Sequence, residues 1–128
     1  MKYYFEKLTD YSFEEAVQKV TEELEKEGFG VISEINVKET LRKKLGVDFR
    51  DYMILGACNA PFAHKSLMAE NKIGIMLPCN VIVQKVSGTQ TEIAAVDPIA
   101  SMQAIENQEL GGIAAEIRDK LERVIRNT

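Results

Sequence analysis

The sequence predicts an α+β domain, with a single mostly antiparallel sheet covered by helices and extra short helices between the strands. Three observations predict it. Strand-like and helix-like periods mix along the chain without the regular alternation that builds a doubly wound sheet. A length of 128 residues suits one domain and leaves no room for two ordinary ones. A hydrophobic share of 45% supplies a core, because a globule of this size buries roughly two-thirds of its unfolded surface.

The elements follow in order. Lys2 to Leu8 is rich in Tyr and Phe and reads as a strand. Ser12 with Glu15 three residues on is a capping box. Phe13, Ala16, Val17, Val20 and Leu24 then recur at helical spacing. Gly28 supplies the stop, since it tolerates positive φ. Phe29 to Ile35 suits a short strand. Val37, Leu41 and Leu45 repeat every four residues before Gly46 and predict a short amphipathic helix.

Tyr52 to Cys58 is an apolar run of strand length. Asn59 and Pro61 match a helix start, with Asn as a side-chain cap and Pro in the first turn. The helix they open runs from about Pro61 to Glu70. Ile73 to Val86 reads as a β-branched stretch broken at Gly74 and Pro78. A proline cannot donate to a sheet ladder, so Pro78 marks an edge, a bulge or a kink. Ser87-Gly88 predicts a hairpin turn into Thr91 to Val96. Asp97-Pro98 starts a further helix carrying Ile99, Met102 and Ile105. Asn107 caps the last one, whose stripe is Ile113, Ile117, Leu121 and Val124 or Ile125. The order is β-α-β-(α)-β-α-β-β-α-α, and the first and last helices are expected to cover one face of the sheet.

Charge narrows the function. The net charge of −4 argues against nucleic acid, which is bound by neutralising phosphates with a basic patch. The nearest such group, Lys38, Arg42, Lys43 and Lys44, is diluted by Glu39 and reads as a solvated face. Met1 to Glu15 lacks the apolar stretch of a signal peptide. No apolar run approaches the ~20 residues that span a bilayer. A soluble cytoplasmic protein with two free thiols is the expectation.

Phosphate loops, nucleophile elbows and paired-cysteine zinc motifs are all missing from the sequence. One constellation stands out. Gly56-Ala57-Cys58-Asn59 ends one apolar run and Leu77-Pro78-Cys79-Asn80 interrupts the next, while the sole histidine, His64, lies between them. If the two strands are neighbours, both thiols and the imidazole would meet at one end of the sheet. Three readings compete there. Cys58, His64 and Cys79 are the donor types that suit zinc or another transition metal, with one coordination position left open. A thiolate beside a histidine and a helix start would instead be a nucleophile or redox thiol. In the third, the cysteines pack as small hydrophobes and His64 is a hydrogen-bonded, partly buried residue.

These same stretches carry a resemblance. Leu41 to Gly46, Tyr52 to Pro61, Ala63-His64, Gly74 to Val81 and Ala95-Val96-Asp97-Pro98 resemble the signature of the domain of unknown function 302 family over nearly the whole chain. The departure is Ala60, where that signature often has Pro. The resemblance implies a β-α-β(4)-α core of TATA-binding-protein-like or helix-grip type, a homodimer and a prokaryotic cytosolic setting. It implies no activity, because none is established for the family. It does raise the weight of Cys58, Asn59, His64, Cys79 and Asn80 as a site for a small molecule or metal ion. The alternative is a non-catalytic homodimeric module, joined through the apolar surface around Ile73 to Val83 or the last helix.

Overall fold

Ser12 accepts a hydrogen bond from the Glu15 amide while the Glu15 carboxylate takes the Ser12 N–H, and this box opens helix α1 (Phe13–Lys26). The computed structural model describes residues 2–128. Its strands are β1 (Tyr4–Thr9), β2 (Gly30–Asn36), β3 (Tyr52–Cys58), β4 (Cys79–Lys85) and β5 (Thr91–Val96). The other helices are α2 (Val37–Leu45), α3 (Ala60–Ala69), α4 (Pro98–Ser101) and α5 (Gln108–Asn127). Local capping is as the sequence implies: Gly28 turns at φ 86°, Asp97 accepts from the Ile99 amide, and Asn107 accepts from the Glu109 amide.

The five strands form one antiparallel sheet in the order β1-β5-β4-β3-β2. Strand alternation sends Leu55 and Ala57 of β3, Cys79, Val81 and Val83 of β4, and Ile93 and Ala95 of β5 to one face. There they meet Ala16, Val20 and Leu24 of α1 and Ile117, Leu121, Val124 and Ile125 of α5. Full burial of one such Val, Leu or Ile contributes about 1.5–3 kcal/mol. Among the described residues no helix covers the centre of the opposite face. Tyr4, Tyr52, Asn80, Ile82, Gln84 and Glu92 line a shallow concavity of about 480 Å³ on that side.

Two local readings are corrected. The stretch read as strand from Ile73 is a single 3-10 turn over Ile73–Met76, and β4 begins only at Cys79, after a cis Leu77–Pro78 bond. Strand β4 is paired on both sides, by β3 and β5. A residue without an N–H is therefore placed at its entrance and not within it. Asn59 occupies the cap position of α3, but its side chain makes no cap hydrogen bond. Its Nδ2 donates instead to the Glu27 carbonyl, at 3.2 Å. Tertiary contact displaced the local motif.

Gly56 marks where β3 needs a bare backbone. A Cβ there would stand 2.9 Å from Cγ of Pro78 and would clash with the Ser33 hydroxyl. The absence of a side chain lets the Leu77-Pro78 segment close over the end of the sheet.

Candidate functional site

A cleft of about 360 Å³ opens on the helix-covered side, at the end of the sheet where β3 finishes and β4 begins. The sheet end gives it Phe29, Cys58 and Cys79, α3 gives it Phe62, and α4 and α5 close it with Pro98 and Ile117. Its wall is almost wholly apolar. Asn59 and Ser66, the lining residues with amide or hydroxyl side chains, both donate to main-chain carbonyls. Asn59 reaches Glu27 at 3.2 Å and Ser66 reaches Phe62 at 2.8 Å.

The wall is held at both ends of α3. Asn59 ties its start to the end of α1, and Asn107 ties its end to the start of α5 by donating to the Ala69 carbonyl at 2.9 Å. Sequence reasoning identifies Asn107 as a helix cap. The same amide also works across the fold, through a partner 38 positions away that no local pattern announces. On the far side of α4, Asp97 accepts from Arg118 Nε at 3.2 Å, which fastens α4 to α5. Phe62 likewise lines the cleft without any signal beyond its place on a helix.

The predicted site residues divide. Cys58, Asn59 and Cys79 all line the cleft. His64 does not. It is exposed, because α3 turns Phe62, Ala63, Ser66 and Leu67 inward, and a helix of 3.6 residues per turn then carries position 64 outward. The expected partly buried, hydrogen-bonded histidine is corrected on the same ground. Asn80 is exposed too and lies on the other face of the sheet, since one step along β4 from Cys79 reverses the side chain. The three-ligand set of Cys58, His64 and Cys79 is thus not assembled. Among the described residues no group of three or more His, Cys, Asp or Glu side chains is placed to hold a metal ion.

The thiols differ as well. Cys79 sits opposite Ala57 in the ladder and belongs to the core. Burial, and then the neighbouring Cys58, push its thiol up to about 11. It is protonated and inert at neutral pH. Cys58 is only half-buried. Near the start of α3, Arg123 grips the Glu27 carboxylate with contacts of 2.9 and 3.3 Å. These hydrogen bonds hold the Glu27 carboxyl below its ordinary range. No described helix is long and apolar enough to cross a membrane.

A model of the family described as "Domain of unknown function DUF302" matches residues 5–128. The crystal structure of an uncharacterized conserved DUF302 protein from Bacillus stearothermophilus is 28% identical to this chain, covers 98% of each, and superposes with a TM-score of 0.90. No curated protein matches. Ala57, Cys58, Asn59, Leu77, Pro78 and Cys79 of the cleft wall fall within segments that carry the family resemblance, and with the family model matching residues 5–128 the chain belongs to the DUF302 family.

Proposed function

We propose that this protein binds a small, largely apolar molecule in the cleft between α3, α4, α5 and the β3–β4 end of the sheet. One observation carries the reading: a cavity of about 360 Å³ persists beside a packed core, in the size range of small-molecule sites. Its wall holds thiols, aromatic rings and aliphatic groups, while the amide of Asn59 and the hydroxyl of Ser66 donate elsewhere. Apolar contact is what such a wall offers. Cys58 is the half-buried thiol of the wall, with Cys79 beneath it as packing. Exposed Ile32 and Leu67 continue the apolar surface to the rim, so a ligand enters from water without crossing a polar barrier. Two free thiols are in keeping with a cytoplasmic setting.

The test is an isotope-edited NMR titration with a neutral arene such as naphthalene. Saturable shifts confined to Ala57, Ala63, Ala114 and Ile117 are expected, and Ala63→Leu, which fills the cleft, should abolish them while the fold is retained. Shifts scattered over the surface, or unchanged in Ala63→Leu, would sink the proposal.

A further inference from the structure

The residues that line the cleft carry no charge, but charge stands just outside them at one end. Phe62 lines the cleft, and two ammonium groups flank its ring: Lys65 Nζ at 5.2 Å from the centroid and Lys120 Nζ at 5.9 Å. They come from different helices, α3 and α5. Lys65 has no carboxylate within ion-pair distance among the described residues. Lys120 has only Glu27 at 4.0 Å, and that carboxylate is already held by Arg123. The start of α3, which Asn59 leaves without a side-chain cap, adds a partial charge of the same sign. In a chain of net charge −4, this end of the cleft is locally positive. At the far end, beside Pro98, the neighbouring charges are the Arg118–Asp97 ion pair, which is neutral as a pair.

We infer that the cleft takes an amphipathic carboxylate, its apolar body along the wall and its carboxylate at Lys65 and Lys120 beside Phe62. The inference rests on the reading of the cleft as a ligand site and adds the class of ligand. Charge complementarity decides it. A neutral ligand gains nothing from two under-paired ammonium groups, and a cationic one is repelled by them. A volume of about 360 Å³ sets the size. At ~30 Å³ for each water-sized unit, the cleft accommodates about twelve non-hydrogen atoms. An unbranched carboxylate near decanoate has that size.

Calorimetric or NMR titration of the full chain with decanoate and with decanol, each below its aggregation limit, separates the two claims. Decanoate is expected to bind roughly tenfold more tightly than decanol. A Lys65→Met, Lys120→Met double variant, which keeps the aliphatic length of both side chains, should erase the difference and leave decanol affinity unchanged. Equal affinities in the parent protein, or a preference for decanoate that survives in the double variant, would overturn the carboxylate while leaving the apolar cleft standing. Failure of both probes to bind would overturn the cleft itself.

Discussion

Cys58-Asn59 and Cys79-Asn80 are the same dipeptide at the meeting ends of two paired strands, yet they do opposite things. In the first, the cysteine is half-buried on the cleft wall, and the asparagine turns inward to hold α1 and α3 together. In the second, the cysteine is core and the asparagine faces solvent on the far side of the sheet. The difference is one of backbone state. Cys79 and Asn80 are both within β4, so alternation separates them strictly. Cys58 is the last residue of β3 and Asn59 the first outside it, where the chain is already turning into a helix. A dipeptide carries chemistry, and its place relative to the strand end decides where that chemistry points.

The sharpest way to break this comparison is the same substitution at both cysteines. Cys79→Ser buries a hydroxyl among Leu55, Val81 and Ala57, where no partner awaits it, and is expected to cost about 2 kcal/mol. Cys58→Ser should cost less than about 1 kcal/mol, because the site is half open to water. Urea unfolding of both variants measures the contrast, and equal losses would mean that the two positions are not distinct environments. Alkaline titration sharpens it further. The folded protein holds the Cys79 thiol near 11 against an ordinary value of 9.0, so folding favours the protonated form. Its contribution is fully present below about pH 9 and is lost as pH rises toward 11. Each pH unit in that window removes up to ~1.4 kcal/mol, roughly 2–3 kcal/mol in all. In Cys79→Ala this component of the alkaline slope should vanish. A slope identical to the parent's would refute the assignment.

What could be read in advance follows the range of the interactions. The Ser12–Glu15 box, the Gly28 stop, the Asp97 and Asn107 caps and the order of the elements rest on residues within a few positions of one another. The sheet order and the covered face depend on pairings between distant segments, and of these only the covering helices are legible in the sequence. Ile73 and Ile75 misled for a related reason. Their β-branched side chains suit a strand, but Ile73 is buried and Ile75 is largely exposed, the split that a single tight turn produces before Pro78. At the site, the meeting of Cys58 with Cys79 was legible because consecutive apolar runs often pair. The exclusion of His64 was legible in principle too. Helical spacing from Phe62 and Ser66 fixes its direction, once it is known which side of α3 faces the sheet. That side is a tertiary fact. The lysines at Phe62 had no sequence signal, being 55 positions apart by number (65 and 120).

The asparagines give the smallest effect and the finest test of the comparison. Asn59 donates from a buried position to a carbonyl 32 residues away, so Asn59→Ala removes a hydrogen bond and leaves the Glu27 carbonyl without that donor. A loss of about 1 kcal/mol is expected. Asn80 is exposed, and Asn80→Ala should fall within about 0.5 kcal/mol of the parent. The more telling readout is local. Because Asn59 anchors one end of α3 and Asn107 the other, Asn59→Ala should speed amide exchange in the first turn of α3 and leave the last turn, near Ala69, unchanged. Protection lost evenly along the helix would mean that α3 is held by its apolar face alone, and that the buried amide is a passenger at the cleft and not one of its supports.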